Sequence, residues 1–171
     1  MSAALPQISY TAPGFDAAFM ASLHEYGFAA VVDHPLDDDR VARIYGEWLA
    51  FFSSGEAAGF RMDPVKQDGY FSLEEAEHAK GFVERDFKEY FQFYPWGRCP
   101  ESLQSDLASH FDAAVELGAE LLNCIARSLP EAVTAKLTEP LRDMIQRSEQ
   151  SMLRVLHYPP VTVGQSVLRA A

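Results

Sequence analysis

Cysteine is scarce in this sequence. Among its 171 residues only Cys99 and Cys124 occur, and no Cys-x-x-Cys pair is formed. This excludes a cysteine zinc knuckle and a dithiol redox centre. Cys124 lies in an apolar run, ELLNCIARSL. That setting favours packing as a small apolar side chain over a reactive role.

Basic residues are also in short supply. Fourteen Lys and Arg against 25 Asp and Glu give a formal net charge of −11. A field of that sign repels phosphate backbones and anionic lipid, so neither nucleic acid nor a membrane is an expected partner. No apolar run approaches the roughly 20 residues of a membrane span, and no leader-like segment follows Met1, so the sequence predicts a cytoplasmic location.

Two common signatures of enzymes are missing. No Gly-x-Ser-x-Gly elbow and no glycine-rich phosphate loop occurs, so hydrolase and nucleotide-binding functions have no local support. What the sequence does contain is core-forming material, since 48% of its residues are apolar and 12% are aromatic. A chain of this length can bury roughly two-thirds of its unfolded surface, which is enough for one domain.

Apolar spacing predicts most of the chain to be helical. The first helix spans residues 15–26 and ends at Gly27, and the second spans residues 40–54 after an acidic cap. The longest spans residues 101–129, and a shorter one follows at residues 137–145. In the second helix the predicted buried stripe is Val41, Ile44, Tyr45, Trp48, Leu49 and Phe52.

Only two segments, residues 28–32 and 151–158, are predicted to be strands. Residues 55–72 are predicted to be a loop, and residues 73–80 one or two acidic helical turns. Between them and the long helix, residues 85–100 are rich in aromatic side chains, which either line a pocket or fill a core. Two strands leave a sheet with open edges that must be paired or covered.

Two pairs of residues have metal-ligand spacing. His110 and Asp112 match the His-x-Asp pattern of iron sites, but residues two apart on a helix point away from each other. Ordinary helix positions are therefore favoured, with a self-contained metalloprotein as the alternative. Glu75 and His78 match a Glu-x-x-His pattern, but no second copy occurs, so a solvated acidic surface is favoured.

The strand at residues 151–158 carries two polar side chains on one face. Arg154 and Tyr158 alternate with apolar residues, and alternate residues of a strand share a face. Polar groups on a buried strand need partners. Spacing alone favours an ion pair for Arg154, and an anionic ligand is the alternative.

Three stretches, taken in order, resemble a known family. They are LHEYGFAAVVDHPLDDDRV, DFKEYFQF and MLRVLHYPPVT. Together they resemble the N-terminal half of the isopenicillin N synthase-like family of iron(II), 2-oxoglutarate-dependent oxygenases, the non-haem dioxygenase N-terminal region. The resemblance extends over about residues 8–171.

The resemblance implies an α+β fold in two parts. Residues 1–150 would be a mostly helical non-haem dioxygenase N-terminal region, and residues 151–171 the first part of a double-stranded β-helix, or jelly-roll, oxygenase domain. The sequence stops at Ala171, just before the His-x-Asp iron motif that the family leads one to expect. The chain is therefore expected to be truncated and inactive by itself.

The resemblance also implies a set of ligands. The complete enzyme would use Fe(II) and 2-oxoglutarate to oxidise a small molecule, and this chain alone would bind neither. Tyr158 and Arg154 match positions that contact the co-substrate, and Phe87, Tyr90 and Phe91 are expected to line the substrate pocket. No catalytic residue and no metal ligand is assigned.

An alternative function belongs to another class. The chain could be a non-catalytic binding or regulatory module that keeps the oxygenase N-terminal fold. Its open sheet would then pair with a partner, and the same open edges would allow self-association.

Overall fold

Three helices of the computed structural model, which describes residues 5–75 and 87–161, follow the apolar periodicity of the sequence. Helix α1 spans Phe15–Tyr26, α2 spans Asp38–Ser54 and α3 spans Glu101–Ser128. Gly27 ends α1 at a φ of 79°, where its backbone N–H donates to the carbonyl of Leu23. Glycine adopts this left-handed conformation without strain. These three helix predictions are confirmed.

The predicted helix at residues 137–145 is wrong. Two short helices stand in this region, α4 at Glu131–Thr134 and α5 at Asp143–Gln146. Pro140 lies inside the predicted span. Proline lacks the backbone N–H and its ring clashes with the preceding turn, so a continuous helix cannot pass through this position.

The described residues contain more strands than the two predicted. They are β1 Gln7–Ser9, β2 Ala30–Val32, β3 Gly69–Phe71, β4 Glu89–Phe93 and β5 Leu153–His157. The loop prediction for residues 55–72 is corrected by β3 and by a 3-10 helix at Glu56–Phe60. Residues 73–75 form a turn, and the rest of the acidic segment predicted at 73–80 lies outside the described residues.

The strands form two sheets. β1 pairs with β2 in parallel, and the other sheet is antiparallel in the order β3-β4-β5. In the register between β4 and β5, Gln92 lies opposite Arg154, and Tyr90 lies opposite Leu156. β5 therefore forms one edge of this sheet within the described part of the chain.

The chain divides into two compact units, each with its own core. The first consists of Met1–Asp37 and Asp112–Ser148, and the second of Asp38–Phe111 and Glu149–Ala171. In the first, Ile8, Phe15, Phe19 and Cys124 are buried together; in the second the buried cluster is Ile44, Trp48, Phe51, Ala57, Phe91, Phe93, Leu103 and Leu107.

Helices and strands are both present, as the sequence predicts. The jelly-roll core and the division of the chain at residue 150 remain predictions. In the described part of the chain, no helix has the length and apolar character that crossing a membrane requires.

Candidate functional site

The candidate site is built on β4 and β5 of the second unit. Because side chains alternate along a strand, Arg154 and Leu156 of β5 share a face with Tyr90 and Gln92 of β4. Tyr90 is 1% exposed and Gln92 is 5% exposed. This face therefore presents an arginine among buried neighbours.

The guanidinium of Arg154 is held by two neighbours on β4. Its Nη2 donates to Oε1 of Gln92 at 3.1 Å. Its Cζ lies 4.6 Å from the centre of the Tyr90 ring, a cation–π contact that fixes the plane of the group. The Tyr90 ring stacks in turn on Phe71, with 4.6 Å between ring centroids. The arginine therefore rests on a rigid aromatic support.

One donor of this guanidinium is unused. Nε of Arg154 is buried and has no hydrogen-bond partner among the described residues. A buried N–H without an acceptor is costly. Arginine presents its N–H groups as a planar fork that fits a carboxylate. Arg154 is therefore suited to bind a carboxylate or another planar acceptor.

The other predicted site residues are buried to different extents. Tyr158 follows the last residue of β5 and is half-buried, and Phe87 lies in a bend two residues before β4. Tyr90 supports Arg154, as described above. Phe91 is 0% exposed and packs in the core cluster against Trp48. That Phe87, Tyr90 and Phe91 line a substrate pocket remains a prediction.

The opposite face of the same strands carries a polar network that the sequence did not reveal. Glu89 of β4 accepts a hydrogen bond from the hydroxyl of Tyr70, and its Oε1 lies 2.7 Å from Nδ1 of His157. The imidazole also stacks on Phe52, with 5.4 Å between ring centroids. Burial raises the pKa of Tyr70, and the bond to Glu89 raises it further. The network joins β3, β4 and β5 through side chains.

The sequence gives one sign of this polar network, which is the acidic residue Glu89 beside apolar residues in the segment EYFQF. A carboxylate in such a run is costly to bury unless it is hydrogen-bonded. His157 is a half-buried strand residue paired with Glu89. Nothing in the local pattern could have identified Tyr70 as the third member.

Iron does not fit the residues described. Across 5–75 and 87–161, no three His, Cys, Asp or Glu side chains gather in an arrangement that could hold a metal ion. His110 and Asp112 both lie within α3, and Glu75 is bound to Arg61 at 2.8 Å. His78 lies outside the described residues. We therefore derive no chemical step through a metal.

A groove of about 470 Å³ runs between α2 and β5. Its walls include Tyr45, Leu49 and Phe52 from α2, and residues 153–157 of β5. Tyr45 and Leu49 belong to the stripe predicted to be buried, yet they are 72% and 54% exposed. The prediction is wrong at these two positions, because in the described structure no element covers this side of α2.

The two cysteines are poor nucleophiles. Burial raises the pKa of Cys99 to about 12. Burial, followed by the hydrogen bond to Asp16, raises the pKa of Cys124 to about 11. Since the thiolate is the reactive form, both side chains are protonated at neutral pH. The prediction that Cys124 packs as a small apolar residue is confirmed by its place in the first core.

Among the comparisons with known proteins, only the one with solved structures finds a match. No protein-family model matches the sequence, and no curated protein matches it. A solved structure from Shewanella oneidensis, described as that of a proposed oxygenase, is 38% identical with a TM-score of 0.85. The match covers 95% of this chain and 58% of the Shewanella chain.

Two further solved structures are similar at lower identity. A protein from Caulobacter crescentus, proposed to belong to the 2OG-Fe(II) oxygenase family, is 23% identical with a TM-score of 0.68, over 99% of this chain and 60% of its own. A full-length protein of Neurospora crassa, solved in complex with alpha-KG, is 19% identical with a TM-score of 0.63, over 93% of this chain and 55% of its own. These two show the fold alone.

The Shewanella structure is that of an oxygenase by description, which supports the general kind of protein predicted from the sequence. The present chain spans 55–60% of the length of each of the three.

Proposed function

We propose that residues 1–171 form the N-terminal portion of a non-haem iron(II), 2-oxoglutarate-dependent oxidoreductase that acts on a small molecule. Similarity to the Shewanella structure, at 38% identity over 95% of this chain, supports the oxygenase class. The observation that carries the proposal for this chain is the unused Nε donor of Arg154.

Arg154 suits the carboxylate of 2-oxoglutarate that lies far from the keto group. Its guanidinium is oriented by Gln92 and Tyr90 before any ligand binds, so little side-chain entropy would be lost on binding. A carboxylate placed at Nε gains a charge-assisted hydrogen bond where the protein itself offers none. In our proposal Tyr158 donates its hydroxyl to the same carboxylate.

The chemistry of the reaction lies outside these residues. Iron and 2-oxoglutarate, when bound in an oxygenase of this kind, supply the oxidising power for the substrate. The described part of this chain would only hold and orient one end of the co-substrate. Our proposal assigns the iron ligands to chain other than residues 5–75 and 87–161.

The resemblance implies that this chain alone binds no 2-oxoglutarate; our proposal differs, because the Arg154 guanidinium is already oriented within residues 1–171. Removal of the Arg154 fork should therefore weaken the binding of 2-oxoglutarate to residues 1–171. We expect Arg154→Ala to lower the affinity at least tenfold, about 1.4 kcal/mol, in calorimetric titrations. Arg154→Lys keeps the cation but loses the planar fork. Its affinity for 2-oxoglutarate should lie between those of the original chain and of Arg154→Ala. Arg147→Ala is the matched control, because Arg147 is an exposed arginine paired with Asp143 on the same short helical segment.

Equal affinity for 2-oxoglutarate in the original chain, Arg154→Ala, Arg154→Lys and Arg147→Ala would contradict the role that we assign to Arg154. The lysine variant keeps the test valid if alanine disturbs β5. Circular dichroism of each variant establishes that the fold is retained.

The chain alone should not turn over 2-oxoglutarate. With residues 1–171 and added Fe(II) under air, we expect no stoichiometric iron binding and no succinate, because the described residues offer no ligand cluster. Succinate is measured by proton NMR. Tight stoichiometric iron binding with succinate formation would show that the iron ligands are present within residues 1–171.

A further inference from the structure

Gln92 is a buried amide whose two ends are both hydrogen-bonded. It lies on β4 opposite Arg154 and is 5% exposed. Its Oε1 accepts a hydrogen bond from Nη2 of Arg154 at 3.1 Å, and its Nε2 donates to the main-chain carbonyl of Gln67 at 3.1 Å. A guanidinium can only donate and a carbonyl can only accept, so these two contacts fix which end of the amide faces Arg154.

The carbonyl of Gln67 belongs to a loop that is closed by its own hydrogen bonds. The N–H of Asp63 donates to the carbonyl of Asp68 at 3.1 Å, and the N–H of Gln67 donates to the carbonyl of Asp63 at 2.7 Å. Gln67 has a φ of 60°, a left-handed conformation that is uncommon for residues other than glycine. Such conformations persist only where the surrounding structure holds them. The loop therefore holds the carbonyl to which Gln92 donates.

The partner that Gln92 offers to Arg154 is neutral. An amide oxygen orients a guanidinium but leaves its positive charge uncompensated, whereas a carboxylate would form an ion pair with it. Among the described residues, no Asp or Glu forms an ion pair with Arg154. Glu89 lies on the same strand, but it faces the other side of the sheet and pairs there with His157.

This arrangement is unusual in so acidic a chain. The formal net charge is −11, yet a half-buried arginine is paired with an amide. A partly buried cation without a counter-ion is costly. An anion at the unused Nε of Arg154 would supply both the missing acceptor and the missing charge.

We propose that Gln92 is a positioning residue that sets the charge selectivity of the Arg154 site. Its amide orients the guanidinium, and its neutrality keeps the site cationic, so that the site binds a carboxylate ligand. The proposal rests on the proposed function for the identity of that ligand as 2-oxoglutarate, but not for the preference for an anion.

The test compares three glutamine variants of residues 1–171. Gln92→Glu and Gln92→Met both lose the hydrogen bond to Gln67, but only Gln92→Glu adds a negative charge beside Arg154. Gln104→Glu is the matched control, because it adds the same charge at an exposed position of α3. Affinities for 2-oxoglutarate and for glutarate, a dicarboxylate without the keto group, are measured by calorimetry at neutral pH. Circular dichroism establishes that each variant is folded.

We expect Gln92→Glu to lower both affinities by at least roughly twentyfold, because the new carboxylate neutralises the guanidinium and repels an anion. Gln92→Met should lower them by only about threefold, because the cation remains and only its orientation is lost. Gln104→Glu should leave both affinities unchanged. A merely structural role would make the two Gln92 variants equally weak, and that result would overturn the proposal.

The two probes distinguish this proposal from the proposed function. If glutarate binds in the expected order of variants and 2-oxoglutarate does not bind, the proposed function fails and the charge selectivity stands. If the original chain binds neither carboxylate, both fail. Should Gln92→Glu not fold, Gln92→Met decides, because a loss of binding as complete as that of Arg154→Ala would overturn the proposal.

Discussion

Phe91→Ala should lower the free energy of unfolding by about 3–5 kcal/mol, the range for truncating a fully buried phenylalanine. Phe91 is 0% exposed in the middle strand of the three-stranded sheet. Its ring packs against Trp48 at 4.8 Å and Phe51 at 6.0 Å between centroids, and against Phe60 at 6.5 Å. Alanine would leave a cavity that three rigid aromatic rings cannot readily fill.

The measurement is urea unfolding followed by tryptophan fluorescence. Tyr45→Ala is the control, because it removes an aromatic ring that is 72% exposed and should change stability by no more than about 0.5 kcal/mol. A loss below about 1 kcal/mol for Phe91→Ala would contradict the placement of Phe91 in the core.

Gly69→Ala should lower the free energy of unfolding by about 2–6 kcal/mol. Gly69 has a φ of 101°, a conformation that an L side chain rarely adopts, and such strain costs about 1–3 kcal/mol. A Cβ at this position would also lie 2.5 Å from the carbonyl oxygen of Phe60. Because that atom is backbone, relief requires movement of the chain, at roughly a further 1–3 kcal/mol.

Gly46→Ala is the matched glycine control. Gly46 lies within α2, and a Cβ there meets no atom within 4 Å. Alanine favours a helix over glycine by about 1 kcal/mol, so this variant should be equal to or more stable than the original chain. If both substitutions had the same effect in urea unfolding, the strained conformation assigned to Gly69 would be wrong.

The helices could be predicted because their signals are local. In α1 and α3 the apolar residues repeat at helical spacing, and Gly27 and Pro130 mark where the helices end. The prediction for residues 137–145 is wrong because the apolar spacing there continues across Pro140. Proline removes a backbone donor and fixes φ, so it interrupts the helix that the spacing predicts.

The strands of the central sheet were harder to predict. β4 has all five residues buried, so it shows no alternation of apolar and polar side chains. Its aromatic residues predict only that this segment lines a pocket or fills a core. β3 is three residues long and lies among Gly, Asp and Pro residues, which are typical of loops. Both strands exist because they pair with each other and with β5, and such long-range pairing has no local signature.

The candidate site was predictable only in part. Alternation along β5 singles out Arg154 as a polar residue among apolar ones, and the structure places it against Gln92 and Tyr90. The prediction that this strand is buried is wrong, because its residues are half-buried or exposed. The role of Gln92 depends on the register between β4 and β5, which the sequence does not show. The pairing of Glu89 with His157 depends on the same register.

The measurement that tests the account most directly is the NMR signal of the Arg154 Nε–H group during titration with 2-oxoglutarate. Arginine side-chain spectra of ¹⁵N-labelled chain, assigned with Arg154→Lys, report this donor individually. If its acceptor is the distal carboxylate of 2-oxoglutarate, the Arg154 signal should shift progressively and saturate, while the Arg147 signal stays in place. An unchanged Arg154 signal at saturating 2-oxoglutarate would contradict the account.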